Sequence, residues 1–236
     1  MIDEMDISEE RKWLYQEYAK TVVANLQKRN MNAQYVSSRQ EALSAVLEMI
    51  PEGVTVVRGD SVSLDQIGVI AELRKRKQNK VLDAFELGAD GAWCVEREER
   101  ERMHREAFSA GVFLTGTNAV TLDGKLVSTD GHGNRVSAMI FGPEKVIIVV
   151  GANKIVKDVN QALERIREFC APVNARRHYL KHHRVEFGDL PCVKTGRCVD
   201  CKHDWRICHY TVIIEGSMIR EKGRINVVLV GEELGI

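Results

Sequence analysis

Four short polar, glycine-bearing groups crowd positions 115–154: Thr115-Gly-Thr-Asn118, Asp123-Gly124, Thr129-Asp-Gly-His-Gly-Asn-Arg135 and Gly151-Ala-Asn-Lys154. Glycines let backbone N–H groups approach an anion, and amide or cationic side chains then hold it. On that chemistry Asn118, Gly131, Asn134, Arg135, Asn153 and Lys154 are candidate ligand-binding residues. The competing reading is that Gly and Asn simply serve the turns. Asp130, His132 and Asp123 are candidate catalytic acid/base groups. Asp123 has a plain alternative, because Asp-Gly between two β runs is what a two-residue hairpin turn prefers. Asp130 is followed by no β run at hairpin spacing, which makes it the stronger of the two. His132, flanked by glycines, is either an accessible proton carrier near neutral pH or incidental. A second anion site is Arg58-Gly-Asp-Ser-Val-Ser63, where helix-start amides join the hydroxyls of Ser61 and Ser63. The same residues also make an ordinary helix cap.

The third constellation is Cys192, Cys198, Cys201 and Cys208, spaced C-x5-C-x2-C-x6-C, while Cys94 and Cys170 stand alone. Four thiolates in one stretch can wrap a zinc ion or an iron–sulfur cluster. His203 and His209 are alternative ligands, and a cysteine-rich loop or a redox thiol pair are alternative readings. Lys194, Arg197, Lys202 and Arg206 are expected to lower the thiol pKa values and offset the negative charge.

Alternating strand and helix patterns have to position these groups. A long amphipathic helix is predicted over residues 8–29, with Leu14, Tyr18, Val22 and Leu26 as its apolar stripe. It packs on the domain or on a second subunit. A strand at 33–36 leads to a capping box at Ser38 and Glu41. The run at 54–57 reads as a buried strand, followed by one helix carrying Leu64, Ile67, Ile70 and Leu73. Strands at 81–85 and 111–114 flank a charged helix at 96–105. A hairpin follows at 120–127, then the most apolar strand, 145–150, and a helix at 157–169. The basic run from Arg176 to Arg184 reads as a solvated helix face, and Trp13, Trp93 and Trp205 as packing residues. Two late strands lie near 211–215 and 225–230. This alternation predicts an α/β fold with a mostly parallel sheet covered on both faces. Ligands then belong at the carboxyl ends of the strands.

Composition sets the class. The chain has 236 residues, 44% of them hydrophobic, so it can bury a sizeable core. Its 34 Lys+Arg balance 34 Asp+Glu, which argues against nucleic-acid binding. No apolar run is long enough for a membrane span, the acidic start is no targeting signal, and no nucleotide-cofactor motif stands out. A cytoplasmic protein, with a homo-oligomer open, is the expectation.

The ordered run from Phe113 to Arg135, then Phe141-Gly-Pro-Glu-Lys145, Val149-Val-Gly-Ala-Asn-Lys-Ile155 and Arg224-Ile-Asn-Val-Val-Leu-Val-Gly231, resembles the LUD family, the lactate-utilisation domain. The resemblance spans nearly the whole chain. It implies a Rossmann-like fold of the ribose-5-phosphate isomerase and CoA-transferase type. It also implies a role in oxidising L-lactate or a related 2-hydroxy acid beside an iron–sulfur protein partner. Carried over to this sequence, it makes Asn118, Asp123, Asp130, Gly131, Asn134, Arg135, Asn153 and Lys154 a pocket for a small anionic metabolite. The expected organisation is an N-terminal helical segment at 1–32 and a LUD α/β domain at 33–236, with the cysteine-rich part at 190–209. A stand-alone sugar-phosphate isomerase or CoA-transferase-like enzyme, and a non-catalytic anion sensor, are the alternatives.

Overall fold

The most apolar runs of the chain become the centre of its main sheet. The computed structural model describes residues 4–89 and 91–236, so the first three residues of the expected N-terminal segment lie outside the described residues. In chain order the strands are β1 (Asn32–Val36), β2 (Thr55–Arg58), β3 (Lys80–Leu82), β4 (Val112–Gly116), β5 (Ala119–Thr121), β6 (Leu126–Asp130), β7 (Lys145–Gly151), β8 (Ile155–Val156), β9 (Tyr210–Ile214) and β10 (Ile225–Val230). The longer helices are α1 (Ser8–Lys28), α2 (Arg39–Glu48), α3 (Val62–Ile67), α4 (Val69–Arg76), α5 (Arg97–Glu106), α6 (Asn134–Ile140), α7 (Val159–Arg165) and α8 (Ala171–His182).

Six strands form a parallel sheet in the order β1-β10-β7-β4-β2-β3. Alternation along β7 sends Val146, Ile148 and Val150 into one core and Ile147 and Val149 into the other. The first core is closed by Ala19, Val22 and Leu26 of α1 and Ala138 and Met139 of α6. The second is closed by Ala42 and Val46 of α2 and by Leu64, Ile67, Ile70 and Leu73. Each fully buried Val, Ile or Leu stabilises the fold by about 1.5–3 kcal/mol. The helix at the chain's start therefore shares the core of the domain. Its buried stripe is Ala19, Val22 and Leu26; Leu14 and Tyr18 are exposed.

A second sheet, β8-β5-β6-β9, carries the hairpin. The expected two-residue turn is replaced by a three-residue loop: Thr121 N–H donates to Lys125 O, and Gly124 takes φ +85° while Asp123 does not leave the ordinary region. The helix expected through Leu64 to Leu73 is two, because Gly68 takes φ +73° between α3 and α4. The helix expected at 157–169 runs on into the basic segment through a π turn, Ile166–Cys170, that joins α7 to α8. Such one-residue expansions recur at functional sites.

The turn at Gly124 lies against α1. A Cβ there would fall 2.7 Å from Asn25 C and 2.8 Å from Leu26 N. Gly124→Ala is therefore expected to cost about 2–4 kcal/mol, from the positive φ and the backbone clash together. Asp123→Ala, which removes exposed ion pairs to Arg29 and Lys125 and the acceptor of the Thr121 hydroxyl, should cost only about 1 kcal/mol. Urea unfolding of the two variants checks the difference.

Candidate functional site

The carboxyl ends of β2, β4 and β7 open on one side of the main sheet, where α8 and residues 204–209 complete a cavity of about 550 Å³. Asp60 and Ser61 enter it from the end of β2, Gly116 to Asn118 from β4, and Lys154 from the loop after β7. The strand ends crowd closely: a Cβ on Gly116 would stand 2.8 Å from Ser61 Oγ, and one on Gly59 3.1 Å from Arg135 Cγ.

Lys154 is buried at 4% exposure. Its Nζ donates to Ser63 Oγ at 3.1 Å and to Thr117 O at 3.2 Å, both neutral acceptors. No carboxylate pairs with it among the described residues. Burial, with Arg165 and Arg135 nearby, lowers its pKa to about 7, against a smaller opposite pull from Cys170. A buried ammonium without a counter-ion is costly. An anion entering the cavity would supply the missing charge.

Across the cavity Arg177 of α8 forks onto Asp60, with Nη1–Oδ2 and Nη2–Oδ1 both 3.1 Å. Burial alone would raise the Asp60 pKa; Arg177, Lys181 and His178 override it and hold the carboxylate well below its ordinary range. His178 lies beside the pair, Nε2 3.9 Å from Asp60 Oδ2, and its Nδ1 is buried without a partner. Burial lowers its pKa to about 4, outweighing the opposite pull of Asp60, and Arg177 and Lys181 add to the lowering. It is therefore a neutral imidazole at pH 7, able to exchange a hydrogen bond with a hydroxyl or keto oxygen.

The glycine-rich segment after β6 is organised differently from the sequence expectation. The Asp130 carboxylate accepts from the backbone N–H groups of Gly131, Arg135 and Val136, so it caps α6 and is not a free acid/base group. The Arg135 guanidinium is spent on Gly116 O, Asn118 Oδ1 and Thr129 O, tying β4 to β6. Asn134 Nδ2 meets His104 Nδ1 at 3.2 Å. Asn118 Oδ1 also accepts from Thr129 N–H. His132 is exposed at the rim of the cavity.

Ser61, Asn118, Asp130, Gly131, His132, Asn134, Arg135, Lys154 and Cys208 thus border one cavity. Ser63 lies beneath, under Lys154. Asn153 stands apart, its Oδ1 accepting from Leu234 N–H. Asp123 is also elsewhere, in the hairpin turn against Arg29 and Lys125. A group that ion-paired and that distant does not serve as the cavity's acid or base.

The cysteine segment forms one wall. Arg206 staples it, donating to Cys201 O and, at 2.9 Å, to Cys208 O. Burial pushes the Cys192 thiol up, and so do the neighbouring thiols of Cys201, Cys208 and Cys198. That reverses the lowering anticipated for this thiol from the basic neighbours. As placed, the four thiols do not enclose one point: no three His, Cys, Asp or Glu side chains among the described residues are arranged to hold a metal ion.

Residues 19–230 match the LUD domain. The chain belongs to the LUD domain family. Membership ties it, at the family level, to lactate utilisation. Solved structures similar to this LUD domain include two of known source. One is a DUF162 family protein from Deinococcus radiodurans, 15% identical, with 92% of this chain and 97% of that one covered and a TM-score of 0.49. The other is ribose 5-phosphate isomerase A from Neisseria gonorrhoeae, 14% identical, with 84% and 94% covered and a TM-score of 0.37. No curated protein matches the chain. No helix among the described residues is long and apolar enough to cross a membrane.

Several groups of this LUD domain were not singled out as site residues by the sequence. Asp60 sits between Gly59 and Ser61 in a stretch read for anion binding, where an acid looks out of place. Arg177 and His178 belong to a basic run whose spacing predicts a solvated face, and Trp205 reads as a packing residue. A signal existed for α8: Ala171, Asn174 and His178 all border the cavity at helical spacing.

Proposed function

We propose that this LUD domain takes part in the oxidation of lactate or a related 2-hydroxy acid as the component that binds the small carboxylate. The reading is carried by Lys154, a buried cation at a cavity wall with only neutral acceptors. A 2-hydroxy or 2-oxo carboxylate would pair with that ammonium. His178, a neutral imidazole that borders the same cavity, is the proposed partner of the hydroxyl or keto oxygen. Turning the hydroxyl carbon into the ketone releases two electrons and two protons; an iron–sulfur protein partner would take the electrons, and His178 and solvent the protons.

Calorimetric titration with lactate and with pyruvate tests this. Because the ammonium form is the one that binds, affinity should hold steady below about pH 7. Above it, affinity should fall by about tenfold per pH unit while the free enzyme loses the proton. Affinity that rises with pH, or no binding of either acid at pH 6, would sink the assignment.

The cysteine segment is proposed as a metal or electron-transfer site. The support is that four thiols share one neighbourhood and influence one another. Ligation by zinc or by an iron–sulfur cluster would require the 196–209 segment to reorganise around the metal, with binding free energy ordering it. Protein purified without oxygen should then carry stoichiometric metal, lost in a Cys198→Ser, Cys201→Ser variant, with hydrogen exchange rising only over 190–209. Metal-free protein with that segment already protected would leave the thiols as packing or redox groups.

A further inference from the structure

The cavity is far larger than lactate. Lactate has only a handful of non-hydrogen atoms, whereas cavities of roughly 300–1,000 Å³ enclose drug-sized ligands. The surplus volume has a definite character. From Lys154 the lining passes through Thr117, whose carbonyl accepts from Nζ at 3.2 Å, to Gly116, packed against Ser61. It continues through Asp60 to His178, 3.9 Å away. There it becomes aromatic. His178 stacks on Phe187 with centroids 5.4 Å apart, and Phe187 meets Trp205 edge-on at 5.7 Å. Both Phe187 and Trp205 border the same cavity as Lys154.

This wall is buttressed from behind. His178 also stacks on His182 at 5.4 Å, and His182 on Trp93 at 4.7 Å. Arg100 also lies against Trp93, its guanidinium 3.6 Å from the ring centroid. Burial keeps both imidazoles uncharged at neutral pH, each with a pKa of about 4, so they pack as rings. Trp205 nevertheless keeps 39% of its surface exposed. An aromatic wall in the same cavity as an unpaired ammonium fits a ligand that has a carboxylate at one end and a ring at the other.

We infer that the cavity takes a 2-hydroxy or 2-oxo acid with an aromatic side chain, its carboxylate at Lys154 and its ring against Phe187 and Trp205. The inference rests on the carboxylate site proposed above and names the substrate class for it.

Calorimetry on the full chain at pH 6 with lactate, phenyllactate, pyruvate and phenylpyruvate tests it. The aromatic acids should bind at least about tenfold tighter than their methyl counterparts, the gain a well-placed ring contact gives. Trp205→Ala should remove most of that gain and leave lactate affinity within about twofold, Phe187→Ala should remove it as well, and Trp205→Phe should retain it. Lactate binding with no gain from the ring, or a gain that survives both alanine variants, would overturn the inference and leave the carboxylate site standing. Failure of all four acids to bind would overturn both.

Discussion

Lys154→Met is expected to abolish carboxylate binding and, at pH 6, to make the protein more stable. The folded chain gives up the Lys154 proton at about pH 7, whereas the unfolded chain holds it to the ordinary lysine value. Between the two the unfolded state binds more protons, so the stability of the natural protein rises with pH across that window. Below it, a charged amine is buried without a counter-ion, and removing it should gain roughly 2–4 kcal/mol. Above pH 10 the amine is neutral and its bonds to Ser63 and Thr117 are worth keeping, so Met should cost about 1–2 kcal/mol. The two stability curves therefore cross. Urea unfolding from pH 6 to 10 reads the crossing, and titration at pH 6 should find lactate affinity reduced by at least about a hundredfold, as for loss of a charge-assisted contact. Parallel curves would mean that Lys154 is not buried as a cation. Retained binding would mean that the carboxylate sits elsewhere.

The second large effect belongs to the fork between Arg177 and Asp60. Arg177→Ala leaves a mostly buried carboxylate without its cation, which should cost about 2–4 kcal/mol. Adding Asp60→Asn should recover most of that loss, because the stranded charge is gone. A double-mutant cycle at pH 7 measures the coupling directly. The folded Asp60 pKa is held below its unfolded value, so the pair's contribution is fully present above the usual carboxylate range and is lost progressively below it, down to the lowered folded value. The penalty of Arg177→Ala should accordingly shrink in acid. A penalty that is the same at pH 7 and pH 3, or that Asp60→Asn does not relieve, would show that Arg177 acts by packing alone.

What the sequence made legible was local. The apolar runs of β7 and β10 announced buried strands, and Ser38 does cap α2 by accepting from Glu41 N–H. The break at Gly68 was hidden because Leu64, Ile67, Ile70 and Leu73 keep helical spacing across it and all four end up buried in one core. At the site, the glycine-rich segments converged on one cavity, but donors and acceptors there were not legible. Whether Asp130 is free depends on which amides face it, and Arg135 was spent on carbonyls that composition cannot rank. Arg177 could not be separated from its solvated neighbours because its partner lies 117 residues upstream. The exposed half of α1 was misjudged for a similar reason: Leu14 and Tyr18 continue the stripe past the point where the domain offers a surface.

The π turn at Ile166–Cys170 gives the pocket an unusual dependence on chain length. It holds one residue more than an α-helix would spend there, and each residue turns a helix by about 100°. Upstream, Ala162 faces the second sheet; downstream, Arg177 and His178 face the cavity. Deleting a single residue from the turn would leave a continuous and regular helix, and yet swing Arg177 off Asp60 and His178 out of the wall. Most helices meet deletion as damage to be absorbed by a neighbouring loop. Here a one-codon change would preserve the architecture and rewrite the lining.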